Sequence, residues 1–388
     1  MMPTHADLIV LNRRPGTVLL PGDLARDRRA LPEPAPGQVV IRNILTTVDE
    51  GQLPALRGFG RTQVAIGDPV PATSIGRVVV SADPAVPVGT RVRTSTGWRT
   101  FATTTITRDQ VADCSPGGPL EWVTVLDEPG VVAYLGIHDI GRVRAGATVL
   151  VTEAGSAMGG AAVQLARAAG ARVVAMVGGR HRVSRAVGVL GADAVVDYLE
   201  PVFPRQLRAA VGDGVDLFFD NSGDQHLQLA LSVIRDRGSI VLCGAGAGAG
   251  ADTTGSGDRC AGSMPGVMRH VTLSGHIVGR QTGGRLYPVC AELAATMRSH
   301  VVSDRCDGRL PGIRAELGHL VRANRLRAVV TEFEGLDRAP AALAAVTGRG
   351  LAVAGRCVVW VSEGERSEGC IGGQRGVGTR TLLASGHR

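Results

Sequence analysis

The residues best suited to chemistry stand together in Thr152-Glu153-Ala154-Gly155-Ser156-Ala157-Met158-Gly159-Gly160, between an apolar run, Thr148 to Val151, and the Ala-rich run Ala161 to Ala169. A glycine-rich turn from strand to helix lets the backbone bend sharply and approach a pyrophosphate, while the first N–H groups of the helix face its negative charge. A second apolar run, Arg172 to Val177, ends in Gly178-Gly179-Arg180-His181-Arg182. A site for NAD places an Asp or Glu at the end of this second strand to hold the ribose hydroxyls. That acid is absent, and the guanidinium groups of Arg180 and Arg182 suit a 2′-phosphate. The combination predicts NADP(H), held by Gly155, Ser156, Ala157, Met158, Gly159, Gly179, Arg180 and Arg182. Each part also has a plainer reading: a tight turn with close helix packing, and an exposed helical turn rich in Arg because the chain has no Lys.

The elements around this turn alternate. Apolar runs at Thr148 to Val151, Arg172 to Val177, Ala194 to Asp197, Val215 to Asp220 and Ser239 to Cys243, with helical stretches between them, predict βαβ units and a parallel sheet. Earlier runs, Gln38 to Asn43, Ile75 to Val80 and Gly89 to Arg93, are short, Val/Ile-rich and separated by Pro and Gly, as in a small β-rich domain with no helix-length periodicity. The late run Arg356 to Trp360 suits a strand that rejoins that first domain. Gly244 to Gly257 is too rich in Gly and Ala for a packed element and reads as a loop. The tail 362–388 is polar and aperiodic, which predicts disorder.

At 388 residues and 44% hydrophobic, the chain can fill two cores. The formal charge is +7, but the arginines are scattered and aromatics are few, which argues against nucleic acid as a partner. Seven cysteines without close pairs read as free thiols in a reducing cytoplasm. Asp7 and Arg13-Arg14 stand where a signal peptide needs an apolar core, and no run of about 18 apolar residues suggests a membrane span. The expected localisation is cytoplasmic.

Several stretches taken together resemble a family. They are Asn12-Arg13-Arg14-Pro15, Gly97-Trp98, Glu128-Pro129-Gly130 through Ala133-Tyr134-Leu135-Gly136, Asp139-Ile140-Gly141, Leu190-Gly191-Ala192-Asp193 with Asp197-Tyr198, Phe219-Asp220-Asn221-Ser222-Gly223, and Val241-Leu242-Cys243-Gly244-Ala245. With the glycine turn they resemble the zinc-free medium-chain dehydrogenase/reductases, in the branch of prostaglandin reductases and alkenal double-bond reductases. The resemblance implies an α/β protein with a GroES-like β-rich domain at 1–127, completed by about 330–361, and a Rossmann domain with a doubly wound parallel sheet at 128–329. It also implies a homodimer. Carried over by position, Gly155 to Met158 would cradle the pyrophosphate, and Arg182 would replace a 2′-phosphate-binding Lys. Tyr198 and Asn221 would line the cofactor, with Cys243, Gly244, Ala245, His276, Ile277 and Val278 toward its nicotinamide. Metal is not expected, and neither a Gly-His-Glu motif nor a Cys quartet is present.

The implied activity is NADPH-dependent reduction of the carbon-carbon double bond of a small α,β-unsaturated carbonyl compound, which needs a hydrogen-bond donor for the enolate oxygen. Here the sequence departs from the family. Ala249 stands at the expected Tyr position, Ser156 replaces a glycine, and Glu153 puts a carboxylate beside the phosphate turn, where it repels a pyrophosphate unless it points away. Tyr134 is the first replacement donor, followed by Thr253, Thr254 and Ser256. These departures keep open the same fold with altered chemistry, as a cyclase, isomerase, dehydratase or non-redox binding protein.

Overall fold

The computed structural model describes residues 2–58, 63–112, 116–179, 190–222, 226, 232–243, 267–272, 298–301, 309–347, 354–362 and 379–380. They divide into two compact units, Met1–Val123 with Ala328–Arg388, and Thr124–Arg327.

The first unit is built on β strands. β1 (His5–Leu11) pairs antiparallel with β2 (Leu24–Ala30) over seven residues. β3 (Val39–Val48), buried along nearly its whole length, is the hub of a second sheet. It pairs antiparallel with β4 (Ser74–Ser81) and β6 (Phe101–Thr104), and β4 pairs in turn with β5 (Arg91–Thr94). On its other flank β3 receives the late strand Arg356–Trp360, with Cys357 opposite Val48 and Trp360 opposite Leu45. Val330–Glu334 runs parallel to that strand, and the short strand Thr379–Arg380 runs parallel to Val330–Glu334. Apart from Ser362 and this strand, the tail expected to be disordered lies outside the described residues.

Leu11, Val48, Leu56, Trp98, Phe333, Leu343 and Val359 share one core. Trp98 is fully buried and donates its indole N–H to Thr47 O at 3.0 Å, which satisfies the one polar atom of a large apolar group. Gly97 before it sits at φ +78°, and a Cβ there would lie 2.4 Å from Val70 O. One element departs from expectation: Gln52–Arg57 forms a short helix, α1, closed by Gly58 at φ +85°. Six residues are too few to show a helical period.

In the second unit the order across the sheet is β13-β12-β11-β10-β7-β8-β9. β7 (Thr148–Val151), β8 (Arg172–Val177), β9 (Ala194–Asp197), β10 (Val215–Asp220) and β11 (Ile234–Leu242) are parallel neighbours. This is the doubly wound order, with ligand space at the carboxyl ends of the strands. Strands covered on both faces read as continuous apolar runs, and all four β7 residues are buried. The core packs Leu150, Val174, Met176, Phe203, Leu207, Phe218 and Ile240. The edge departs from a wholly parallel sheet, because β12 (Val267–Thr272) pairs antiparallel with β11 and β13 (Arg298–Val301) pairs antiparallel with β12. A parallel return needs a crossover, usually a helix, and the Gly/Ala-rich sequence after Cys243 lacks the apolar periodicity of one.

Four helices of this unit matter below: α2 (Glu128–Tyr134), α3 (Ala157–Ala168), α4 (Phe203–Val211) and α5 (Leu310–Arg322). Among the described residues no helix is long and apolar enough to cross a membrane.

Candidate functional site

The glycine turn lies between β7 and α3 and is tied to both neighbouring strands. Thr152 N–H donates to Phe219 O of β10 at 3.1 Å, and Ala154 N–H donates to Met176 O of β8 at 3.0 Å. The Thr152 hydroxyl donates to Asp220 Oδ1 at 3.0 Å and accepts from Asn221 N–H at 2.7 Å. Asp220 Oδ1 also takes the Ser222 N–H and hydroxyl. One buried carboxylate thus holds the loop after β10 against the start of the turn.

Glu153 adopts φ +45°, left-handed backbone that a residue with a side chain rarely takes. Ser156 N–H closes onto Glu153 O at 2.8 Å, and Ser156 caps α3 by accepting Gly159 N–H on Oγ at 3.0 Å. The same Oγ accepts Asn221 Nδ2 at 2.7 Å. The residue that replaces the family's glycine therefore caps the helix and draws Asn221 to its N-terminus. By helix geometry the N–H groups of Ala157 and Met158 have no intrahelical acceptor, and they suit an anion. Gly159 is required by packing, since a Cβ there would lie 2.2 Å from Glu153 O, whereas one at Gly160 would meet only ordinary contacts at 3.5 Å.

The end of β8 lies alongside. Gly179, at φ +96°, donates its N–H to Asp197 Oδ1 at 2.9 Å, and Leu199 N–H donates to the same oxygen at 3.0 Å. Asp197 thus serves the backbone. Tyr198 N–H donates to Val177 O at 3.0 Å, and its phenol crosses above Gly178, where a Cβ would lie 2.4 Å from the Tyr198 oxygen. That hydroxyl donates to Glu153 Oε1. The Tyr198 ring tilts against His226 with centroids 4.6 Å apart and meets Phe203 edge-on at 6.5 Å. Burial lowers the His226 pKa, opposed by Asp220 and Glu153.

Gly155 to Gly159, Gly179, Tyr198 and Asn221 therefore gather at the carboxyl ends of β7 to β10. Cys243 joins them at the end of β11, where its N–H donates to Asp220 O at 2.7 Å. Burial first, and Asp220 second, push its thiol pKa well up, so it stays protonated and is a poor nucleophile. Arg180, Arg182, Gly244, Ala245, His276, Ile277, Val278, Thr253, Thr254 and Ser256 lie outside the described residues.

Tyr134, the first candidate donor, is hydrogen-bonded within its own unit. Its hydroxyl, expected from sequence to stabilise an enolate, donates to Glu316 of α5 at 2.5 Å, and its ring packs on His138 at 4.8 Å. Burial and then Glu316 push its pKa up to about 12. In this arrangement the phenolic proton is directed at Glu316. The contacts that sequence reasoning missed are Glu153 with Tyr198, Ser156 with Asn221, and the packing of His226. For the first there was a signal, the anomalous carboxylate in the turn, while His226 carried none.

Among the described residues no group of three His, Cys, Asp or Glu side chains is arranged to hold a metal ion. Two family models match the chain, "N-terminal domain of oxidoreductase" over residues 8–111 and "Zinc-binding dehydrogenase" over residues 157–294. Among curated proteins, the NADPH-dependent curcumin reductase of Escherichia coli is 27% identical over 292 residues, spanning 73% of this chain and 84% of that protein. Prostaglandin reductase 1 of Bos taurus is 30% identical over 219 residues, spanning 55% of this chain and 65% of that one. Among solved structures, CurA of Vibrio vulnificus in complex with NADPH superposes with a TM-score of 0.73 at 21% identity, covering 92% of this chain and 99% of that one. With both models matched in chain order over most of the chain, the chain belongs to the medium-chain dehydrogenase/reductase superfamily, and it is similar to that superfamily's curcumin, alkenal and prostaglandin reductases.

Proposed function

We propose that the chain is an NADPH-dependent reductase that saturates the carbon-carbon double bond of a small α,β-unsaturated carbonyl compound, as a cytoplasmic homodimer. The carrying observation is the turn itself: α3 begins at Ser156 with Asn221 beside it, and Gly159 lets the start of the helix pack directly on the backbone of the turn. A strand-to-helix turn of this kind presents the helix N-terminus to a pyrophosphate. The activities named for the curcumin, 2-alkenal and prostaglandin relatives support the NADPH-dependent reduction.

Gly155, Ser156, Ala157, Met158 and Gly159 would hold the pyrophosphate, Asn221 and Tyr198 the adjoining riboses, and Arg180 and Arg182 the 2′-phosphate. Cys243 to Ala245 and His276 to Val278 would border the nicotinamide. Bound there, NADPH supplies a hydride to the β-carbon of the substrate. The chain must then place a donor at the carbonyl oxygen, where negative charge develops. With the Tyr134 hydroxyl donated to Glu316, that role falls to Thr253, Thr254 or Ser256 of the Gly-rich segment. Equilibrium titration with NADPH and NADH, followed by NADPH consumption against a panel of enones and enals, tests the reading. Binding and turnover of at least one enone are expected. Tight NADPH binding without consumption on any of them would overturn the reductase, and absence of binding would favour the non-redox alternative.

A further inference from the structure

The second strand lacks the acid that grips the ribose in NAD sites, yet a carboxylate reaches the end of that strand from elsewhere. Glu153 leaves the glycine turn in left-handed backbone, and the neighbouring Ala154 N–H is fixed to Met176 O of β8. The Tyr198 phenol lies over Gly178, the first residue past β8, and donates to Glu153. Tyr198 is held in turn by its N–H on Val177 O and by the ring of His226. Turn, strand end and phenol together place the Glu153 carboxylate where the adenosine ribose of a dinucleotide meets the second strand.

We infer that Glu153 is a specificity-determining residue, standing in for the missing strand-end acid, and that Tyr198 positions it. This rests on the reading of the turn as a dinucleotide site. A carboxylate there accepts hydrogen bonds from the ribose 2′- and 3′-hydroxyls and repels a 2′-phosphate. Glu153 thus opposes a 2′-phosphate at this point, so the protein accepts NADH as well as NADPH, with Glu153 narrowing the gap between them.

Calorimetric titration with 2′,5′-ADP and with 5′-ADP, probes that carry no nicotinamide, tests the assignment without any turnover. Glu153→Gln keeps an acceptor for Tyr198 while removing the charge. It should tighten 2′,5′-ADP about tenfold and weaken 5′-ADP about threefold or more. Tyr198→Phe keeps the ring against His226 but frees the carboxylate, and should move the ratio of the two affinities in the same direction by a smaller factor. Damage to the fold would weaken both probes together, so the ratio reports specificity. An unchanged ratio in both variants, with probes and NADPH still binding, would overturn the inference and leave the reductase reading standing. Failure of the unaltered chain to bind either probe or NADPH would overturn both.

Discussion

Gly159 and Gly160 are adjacent in the first turn of α3, yet the structure gives them opposite fates on substitution by Ala. A Cβ at 159 would lie 2.2 Å from Glu153 O, 2.8 Å from its carbonyl carbon and 2.9 Å from Ala154 Cα. All three are backbone, so no side chain can swing away, and relief requires the turn and the helix start to separate by roughly 1 Å. Overpacking of this kind costs about 1–3 kcal/mol. In a unit of some 200 residues that lowers the melting temperature by roughly 2–4 °C per kcal/mol. The same displacement moves the N–H groups of Ala157 and Met158, and misplacement by about 1 Å weakens a positioned interaction up to a hundredfold. A Cβ at 160 meets only Ala154 O and the Leu190 methyls at ordinary contact distance, and Ala favours a helix over Gly by about 1 kcal/mol. Thermal melts and NADPH titrations of Gly159→Ala and Gly160→Ala read both effects. The expected result is a destabilised 159 variant with NADPH binding weakened at least tenfold, beside a 160 variant as stable as the parent or more so. Equal behaviour of the two would refute the account of the turn.

Ser156→Ala removes the cap of α3 and strands Asn221 Nδ2, so it should cost about 1 kcal/mol. In a double-mutant cycle with Asn221→Ala the losses should fall short of additive, and additive losses would deny the contact. Tyr134→Phe should leave enone turnover within about twofold, because its proton is held by Glu316, whereas a loss of a hundredfold or more would mark a catalytic proton donor. For pH dependence, burial lowers the His138 and His226 pKa values below 6.5 in the folded chain. Stability linked to these groups is therefore complete above about pH 6.5 and declines as pH falls toward the folded values, since the unfolded chain binds protons first. Melting temperature against pH should show that decline, and His226→Phe should shallow it.

Much of the second unit was legible because its strands are largely apolar runs, with Gly178 following β8 and Asp197 and Asp220 ending β9 and β10. β7, β8, β9 and β10 begin and end where those runs do. β11 was not, since it starts at Ile234 across a register shift near Val215 and Leu217 and includes polar Arg235 and Asp236. β3 extends to Val48 through Thr46 and Thr47, buried threonines that interrupt an apolar pattern. In the site, the cradle followed from spacing, while side-chain directions did not. Whether Glu153 faces the pyrophosphate or Tyr198 depends on a left-handed backbone angle that no residue pattern announces. The partner of Tyr134 is 182 residues away in sequence, beyond the reach of local periodicity.

The strand Arg356–Trp360 completes the flank of β3 at Leu45 to Val48, and that order of assembly has a consequence during synthesis. At roughly 5–20 residues per second, the ribosome takes about 15–60 s to pass from one strand to the other. Throughout that interval the 45–48 edge of β3 lacks its covering strand while the intervening unit is made. Such an edge invites pairing with another nascent chain, so the yield of folded protein should depend on chaperone occupancy and on expression temperature more than the stability of either finished unit suggests.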